Sequence, residues 1–447
     1  MTDLAKTPTT RPAAVRQSSR RGFFVGAAGV GVVAAATMLP GGIAAAQGAA
    51  AGDPVAPVAT DNQPGGPGRQ AFVRVSDGNF PLSGRTFRFG GTNTYYLHQR
   101  SQYMIDAALN DAAAMSLGVV RAWAFDDGQN GDHPLQPHPY EYDSAAFDSL
   151  DYAIFKAGQL GVRLVLALTN NWPDYGGMPQ YVSWFFPDLP GDVYSDSPVN
   201  HDKFYTEKKI KDCYRAYARY VTHRRNPYTG LRYNQDPTIM AWELANEPRN
   251  RSDKTGAAVL AWVTEMSSYV KALAPRQLVA VGDEGFYGDP GNPDYPYSNY
   301  EGNQWKKFLA LRSIDYGTVH LYPQSWGEYP ASNGTDPVAW GTTWINDHLT
   351  DGKALHKPVV IEEYGLLIDA GKGVADNAAR DAAYTQWTGA VETAGAGDQF
   401  WLLTSRVDDG SFYPNYDGFR IIWENDPSNT TNGTAQLLSA HAKRMTG

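Results

Sequence analysis

The feature that most constrains the fold is a regular alternation of short apolar runs with helical patterns, which continues to the end of the chain. The apolar runs predict eight strands, at 86–93, 119–125, 163–170, 238–246, 278–283, 316–322, 358–363 and 399–404. Helical patterns follow them at 102–116, 146–160, 206–225, 257–274, 303–311, 338–350, 375–395 and 433–446. Eight β-then-α units predict an α/β fold, a (β/α)8 TIM barrel, rather than a doubly wound sheet.

Local signals support these elements. Asp77-Gly78 between two short apolar runs predicts a hairpin turn ahead of the barrel. In the helix at 146–160, Ser144 is a candidate N-terminal cap, and Gly161 is placed to end the helix.

The connections between the elements are unequal in length. Helix-to-strand links are short, whereas the strand-to-helix links at 171–205, 285–302, 323–337 and 405–433 are long and rich in Trp, Tyr and Phe. In a (β/α)8 barrel these loops build the site at the C-terminal face. Aromatic rings in an acidic, water-facing cleft are typical of sites for pyranose sugars, whose C–H faces stack on them.

Composition excludes several classes of protein. The chain has 447 residues and a formal charge of −9, so nucleic acid and anionic membrane surfaces are poor electrostatic partners. Its only cysteine, Cys213, rules out an intrachain disulfide and a multi-cysteine metal site. We expect a single catalytic domain at 71–447 that acts as a monomer.

The N-terminus has the pattern of an export signal. Arg20-Arg21 and Phe23-Phe24 precede a weakly apolar stretch that runs to about Leu39, and Ala44-Ala45-Ala46 then forms a small-residue site of the signal-peptidase type. The paired arginines resemble a twin-arginine signal, which implies a bacterial host and a secreted protein. A membrane-anchoring helix is the alternative, but the run is short and rich in glycine. We therefore expect a signal at 1–46 and a flexible linker at 47–70.

Two predicted strands end in carboxylates. The fourth runs into Asn246-Glu247-Pro248 and the seventh into Glu362-Glu363, so both acidic groups lie on the same rim of the barrel. Glycosidic cleavage needs such a pair, one to protonate the leaving oxygen and one to attack or to activate water. Strand alternation predicts that Glu362 and Glu363 point to opposite faces but leaves open which one points inward.

A metal site is the competing interpretation of strand-end acids. It would need a cluster of histidines or carboxylates, and His133, His138, His320 and His348 lack the spacing of ligands. We therefore expect no metal and no other cofactor.

At this point the chain resembles a known family. The stretches "FGGTNTYYL", "GVVRAWAFDDG", "LTNNWPDYGGMPQYV", "PTIMAWELANEPR", "VGDEGF", "TVHLYPQSWG" and "VVIEEYG" are similar to glycoside hydrolase family 5, and within it to the endo-β-1,4-mannanases. The likeness covers about residues 72–401. It implies a retaining barrel hydrolase that cuts internal β-1,4 bonds of mannan, glucomannan or galactomannan.

The resemblance also implies roles for individual residues. Glu247 corresponds to the acid/base and Glu363 to the nucleophile, with Glu362 as the competing candidate. Arg121 would keep Glu363 ionised, and an arginine in an apolar strand needs an acidic partner in any case. The remaining residues expected to bind substrate or support the reacting groups are Asn171, Trp172, Asn246, Arg249, Glu284, His320, Tyr322 and Trp401.

Other functions stay open at this stage. The same scaffold serves exo-acting β-mannosidases and endo-β-1,4-glucanases. A carbohydrate-binding barrel without catalysis would keep the aromatic cleft but has no need for two rim acids. A metal-dependent barrel hydrolase would lose activity on chelation.

Overall fold

The computed structural model of the chain describes residues 71–128, 133–327, 336–368 and 374–447. The expected signal at 1–46 and linker at 47–70 lie outside the described residues. The strands are β1 (Pro81–Leu82), β2 (Arg85–Thr86), β3 (Phe89–Asn93), β4 (Val119–Trp123), β5 (Arg163–Ala167), β6 (Ile239–Glu243), β7 (Leu278–Ala280), β8 (Gly317–Leu321), β9 (Val359–Tyr364) and β10 (Gly397–Phe400). The helices are α1 (Gln102–Ala114), α2 (Asp148–Leu160), α3 (Gly177–Phe185), α4 (Lys203–Thr206), α5 (Lys208–His223), α6 (Ala257–Leu273), α7 (Trp305–Leu309), α8 (Pro337–Ala354), α9 (Asn377–Ala394) and α10 (Asn432–Thr446).

Strands β3 to β10 form one sheet in the order β7-β6-β5-β4-β3-β10-β9-β8, and every paired neighbour is parallel. The sheet closes between β7 and β8. There the Asp315 N–H donates to the Val279 carbonyl at 2.8 Å, and the His320 N–H donates to the Glu284 carbonyl at 3.1 Å. The predicted (β/α)8 barrel is therefore confirmed.

The differences from the sequence-based elements lie in the long loops. The link after β5 contains α3 and α4, which the sequence patterns did not predict. The Asp77-Gly78 turn is present, since Ser76 pairs with Asn79 and both turn residues have positive φ, 46° and 74°. No helix in the described ranges combines the length and the apolar character that a bilayer span requires.

The lower interior of the barrel is apolar. Val119, Val165, Ala241 and Val360 belong to one buried cluster with Phe80 of the N-terminal segment. Side chains that point inward recur every second residue along a strand. Two residues beyond this floor the strands carry Arg121, Glu243 and Glu362 instead, so the upper interior is polar.

Candidate active site

Glu247 and Glu363 lie together at the C-terminal rim of the barrel. Glu247 follows β6, the fourth strand of the barrel, and Glu363 lies in β9, the seventh. The Nδ1 atom of His320 is 2.9 Å from Glu247 Oε1 and 3.6 Å from Glu363 Oε2. Because both carboxyl groups contact the same nitrogen, they lie close together. In inverting glycosidases the two carboxyl groups are farther apart, at about 6.5–9.5 Å.

The backbone at Glu247 has an unusual conformation that the neighbouring strand supports. Its φ is +50°, in the left-handed region that non-glycine residues rarely adopt. The Glu247 N–H donates to the Gly282 carbonyl at 2.8 Å. A Cβ atom at Gly282 would lie 2.1 Å from the Ala245 carbonyl oxygen, so this close approach of the β6 and β7 segments requires glycine.

Arg121 of β4 connects several strand ends. Its Nη1 donates to Glu363 Oε1 at 2.6 Å, its Nη2 to Asn246 Oδ1 at 2.8 Å, and its Nε to Glu243 Oε2 at 2.8 Å. Burial alone lowers the pKa of Arg121, but the carboxylates of Glu243, Glu362 and Glu363 outweigh it and raise the pKa well above its ordinary value. The guanidinium is thus a fixed positive charge beneath Glu363.

The predicted opposite orientation of Glu362 and Glu363 is wrong. Glu362 Oε2 is 3.6 Å from Arg121 Nε and 3.6 Å from His320 Nε2, so both glutamates face the interior. The reason is a β-bulge: Val319 pairs with Ile361, but the next residue, His320, pairs with Glu363. The extra residue breaks the alternation of the strand.

Of these two glutamates, Glu363 has the hydrogen bonds that suit a reacting group. The Tyr322 hydroxyl donates to Glu363 Oε2 at 2.7 Å, on the same carboxylate that Arg121 contacts. Glu362 is fully buried, and neither of its oxygens has a hydrogen-bond partner in the part of the chain that the structure describes. Glu362 and Glu363 therefore differ in how deep they lie in the barrel, and not in the face of the strand from which they point.

His320 and Trp172 hold the other carboxyl. The Trp172 Nε1–H donates to Glu247 Oε2 at 2.6 Å, and His320 Nδ1 lies within hydrogen-bond distance of Glu247 Oε1, at 2.9 Å. Burial alone lowers the pKa of His320, but Glu363, Glu247 and Glu362 outweigh it and raise the pKa to about 10. His320 is thus a buried cation between the two acidic groups.

Beside Glu247 lie four polar residues that hydrogen-bond to one another or to their neighbours: Asn171, Asn246, Arg249 and Glu284. Asn246 Nδ2 donates to Asn170 Oδ1 at 2.9 Å. Arg249 forms a two-point ion pair with Glu284, at 2.6 and 2.7 Å. The Asn171 side-chain oxygen accepts the Arg249 N–H at 3.2 Å and is therefore engaged within the protein.

Trp401 lies on the opposite side of the rim, just beyond β10. Its ring stacks on Tyr95 with centroids 5.6 Å apart and planes 9° apart, and its indole N–H donates to Asp417 at 2.6 Å. The side chain stays partly exposed. Other loop aromatics pack against each other instead, as Trp326 does on Phe286 at 5.4 Å.

Within the described ranges, three side chains could converge on a metal ion: Glu247, Glu284 and His320, whose ligand atoms lie within 4.8 Å of one another. Sequence spacing did not reveal this grouping. The donors fit a metal poorly, since both Glu284 oxygens are engaged by Arg249 and His320 Nδ1 lies 2.9 Å from Glu247 Oε1.

Sequence reasoning missed Glu243 and Asn93. Glu243 is fully buried and bonds to Arg121, and Asn93, at the end of β3, accepts from Arg121 Nη1 at 3.2 Å. The available signal was an acid inside the apolar run "IMAWE", four residues before Glu247.

The chain is similar to known proteins over most of its length. A family model described as GH family 5 beta-mannosidase-like matches residues 70–420. Mannan endo-1,4-beta-mannosidase 1 of Solanum lycopersicum is 35% identical over 390 residues, 84% of this chain and 92% of that protein. The structure of the endo-beta-1,4-mannanase from Thermotoga petrophila is 40% identical, with 81% of this chain and 78% of that chain covered and a TM-score of 0.71. The endo-1,4-beta-mannanase from Rhizomucor miehei is 34% identical, with 84% and 99% covered and a TM-score of 0.72. The chain therefore belongs to the β-mannosidase-like group of glycoside hydrolase family 5.

Proposed function

We propose that the protein is a retaining endo-β-1,4-mannanase that cuts internal bonds of mannan, glucomannan or galactomannan. The observation that carries the proposal is the shared contact of Glu247 and Glu363 with His320 Nδ1, at 2.9 and 3.6 Å. Retaining glycosidases keep their carboxyls about 5–5.5 Å apart, because one of them attacks the sugar directly. The relatives named mannan endo-1,4-β-mannosidases support mannan as the substrate.

In the first step, Glu363 attacks the anomeric carbon while the bond to the leaving oxygen breaks. Glu247 gives its proton to that oxygen, and a covalent glycosyl-enzyme forms on Glu363. Arg121 and Tyr322 each donate to one Glu363 oxygen, at 2.6 and 2.7 Å, which holds the carboxylate in position.

In the second step, Glu247 takes a proton from water, and the hydroxide attacks the anomeric carbon. The bond to Glu363 breaks, so the sugar leaves with its original configuration. Both Glu247 oxygens have a neighbour in the resting site, Trp172 Nε1 and His320 Nδ1. The leaving oxygen of the substrate would replace one of these contacts when Glu247 acts as acid.

The surrounding residues would bind the sugar chain. Asn246 uses one amide hydrogen on Asn170, and its second hydrogen is available to the 2-hydroxyl of the reacting sugar. Trp401 would form the floor beneath that sugar. Trp172, Arg249 and Glu284 lie beside the acid and would serve sugars on the leaving-group side, with Asn171 supporting Arg249.

The test is product analysis with defined oligosaccharides. Residues 47–447 are incubated with mannohexaose and with cellohexaose, with and without chelator. Early mannobiose and mannotriose that chelator does not affect would support the proposal. Mannose alone would indicate an exo-acting enzyme, and cleavage of cellohexaose alone a glucanase. Activity lost on chelation would indicate a metal-dependent hydrolase, and no cleavage of either substrate a binding protein.

The role of Glu247 has its own test. Glu247→Ala should lose activity on mannan but keep it on aryl mannosides with good leaving groups, which need little protonation. Equal loss on both kinds of substrate would contradict the acid role.

We also propose that the twin-arginine segment exports the enzyme from a bacterial cell and that the mature protein is a monomer. Replacing Arg20 and Arg21 with lysine should retain the protein in the cytoplasm, and sequencing the exported form should give a new N-terminus near residue 47. Export that survives both substitutions would contradict the proposed export route.

Light scattering of the exported form should give the mass of one chain, and a dimer mass would contradict the proposed monomer.

A further inference from the structure

Beneath the two reacting carboxyls lies a second pair of glutamates that the mechanism does not use. Glu243 of β6 and Glu362 of β9 are both fully buried, so neither can touch a sugar. They approach the same atom: Arg121 Nε is 2.8 Å from Glu243 Oε2 and 3.6 Å from Glu362 Oε2. Arg121 Nε carries a single hydrogen, which bonds to Glu243.

The hydrogen bonds of this pair are incomplete if both acids are ionised. Among the described residues, no hydrogen-bond partner is found for Glu243 Oε1 or for either oxygen of Glu362, although these atoms are buried. Buried carboxylate oxygens without donors are costly. A proton held between the two carboxyls supplies a donor to this site and removes one charge from it.

The charges of the surrounding groups lead to the same conclusion. Among the described residues, the groups next to this pair are two cations, Arg121 and His320, and two other acids, Glu247 and Glu363. Even with Glu247 protonated, the two cations balance only Glu362 and Glu363. An ionised Glu243 would leave one buried negative charge without compensation.

The remaining ionisable groups nearby do not change this balance. Tyr316 faces both glutamates, and burial raises the pKa of its hydroxyl, so it stays neutral. On the β7 side, Glu284 is paired with Arg249, and Asp283 accepts a hydrogen bond from Thr318 at 3.1 Å.

The directions of the pKa shifts agree with this geometry. Burial raises the pKa of Glu243 well above its ordinary value, and Glu362 adds to the rise against the opposing effect of Arg121. Burial also raises the pKa of Glu362, but the charge of Arg121 and the neighbouring Glu243 and His320 side chains outweigh it and lower the pKa.

We propose that Glu243 is a permanently protonated carboxylic acid that donates a hydrogen bond to ionised Glu362, and that this pair positions Arg121 and His320 under the reacting carboxyls. Glu243 anchors Arg121 at Nε, and Glu362 faces His320 Nε2 at 3.6 Å. Both are positioning residues, since they act through Arg121 and His320. The role in catalysis rests on the proposed function, whereas the protonation of Glu243 does not.

Infrared spectroscopy tests the protonation without substrate. Wild-type protein should show a carboxylic-acid C=O band that persists at neutral pH and disappears in Glu243→Gln. The same comparison in a Glu247→Gln background removes any contribution of Glu247. Absence of a band that depends on Glu243 would overturn the proposal even in an active mannanase, and its presence would support the pair even if mannan is not the substrate.

Kinetics test the positioning role. Glutamine reproduces a neutral carboxyl, so Glu243→Gln should keep kcat within about threefold of wild type, whereas Glu243→Leu should lower kcat by about ten- to a hundredfold with little change in KM. Glu362→Gln should lower kcat similarly. It should also move the alkaline limb of the pH profile to lower pH, because His320 loses an anionic neighbour.

Two outcomes would contradict the pair. A Glu243→Gln protein that does not fold, or that folds but loses as much activity as Glu362→Gln, would show that Glu243 acts as an anion. The matched control is Glu265→Gln, a surface glutamate that pairs with Lys211 and Arg215 and should change neither the band nor the kinetics. If Glu362→Gln does not fold, the infrared band and the two Glu243 variants still decide between the outcomes.

Discussion

At the scale of single residues, neighbouring glutamates in one strand have different surroundings. Glu363 accepts hydrogen bonds from Arg121 and Tyr322, whereas Glu362, one residue earlier, is fully buried and lies 3.6 Å from both Arg121 Nε and His320 Nε2. A nucleophile must reach the anomeric carbon, which requires a position at the rim. Depth in the barrel therefore distinguishes the two residues.

The first prediction concerns this distinction. Glu363→Ala should fold and lose at least about 10⁴-fold in kcat, as expected for removal of a nucleophile. Azide should restore part of the turnover on an activated substrate, because it can attack from the vacated side. Glu362→Gln should retain far more activity, and the opposite ranking in steady-state assays would move the nucleophile to Glu362.

The second prediction concerns the hydroxyl that donates to Glu363. Tyr322→Phe removes a hydrogen bond to a charged group and should lower kcat by about ten- to a hundredfold. The matched control is Tyr364→Phe, whose hydroxyl bonds to Asp398 at 2.7 Å outside the active site. That control should lower the melting temperature but leave kcat unchanged. Equal effects of both substitutions on kcat would contradict a specific role of Tyr322.

At the scale of elements, the last helix is fastened to the barrel by buried polar contacts. Helix α10 packs on β3, where a Cβ at Gly90 would lie 2.9 Å from Ala442 Cα. His441 of α10 bonds to Asp398 of β10 and to Glu392 of α9, both at 2.7 Å. The close packing and the two hydrogen bonds together hold α10 against the strands.

The third prediction is the pH dependence of this attachment. Burial lowers the pKa of His441, but Asp398 and Glu392 outweigh it and raise the pKa above its ordinary value. A raised pKa in the folded state stabilises the protein fully below the unfolded pKa of about 6.5, and this contribution is lost as the pH rises through the folded pKa.

His441→Gln should therefore lower the free energy of unfolding by about 1.5–3 kcal/mol at pH 6 and by less at alkaline pH. Thermal or urea unfolding of both proteins across this pH range measures the difference. A difference that does not change with pH, or that grows toward alkaline pH, would contradict a charged His441.

At the scale of the whole molecule, the barrel is closed and filled without covalent cross-links. The gap between β7 and β8 is spanned by backbone hydrogen bonds, and Val73 and Phe80 of the N-terminal segment pack with the apolar floor. Cys213 is fully buried, and burial raises the pKa of its thiol to about 11. Packing and polar contacts therefore have to supply the stability.

The fourth prediction follows from this state of Cys213. Reductant should not change the melting temperature, because a chain with one cysteine has no internal disulfide. A thiol reagent should react with the folded protein at least about a hundredfold more slowly than with the unfolded protein, since a buried neutral thiol is a poor nucleophile. Rapid labelling under native conditions would show that α5 opens locally.

Local sequence patterns were sufficient for the eight strands of the barrel, the (β/α)8 class and the placement of Glu247 and Glu363 at strand ends. The strands follow from the periodicity of apolar residues, which can be seen in any short stretch of sequence. The placement of the two glutamates follows because parallel strands all end at the same rim. Local signals had limits even here: Gly161 does end α2, with φ of 75°, but Ser144 does not cap that helix and instead bonds to Arg224. Helices α3 and α4 gave no recognisable pattern.

The arrangement of the interior acids depends on contacts between strands that are far apart in the sequence. The bulge in β9 depends on register against β8, and it brought Glu362 and Glu363 to the same side, contrary to strand alternation. The hydrogen bond between Arg121 and Glu243 connects residues that are 122 positions apart in the sequence. Periodicity within one strand assigns a face to each side chain. The register, depth and charge partners of that side chain are set by the neighbouring strands, because their backbones and buried charges fix where it can lie.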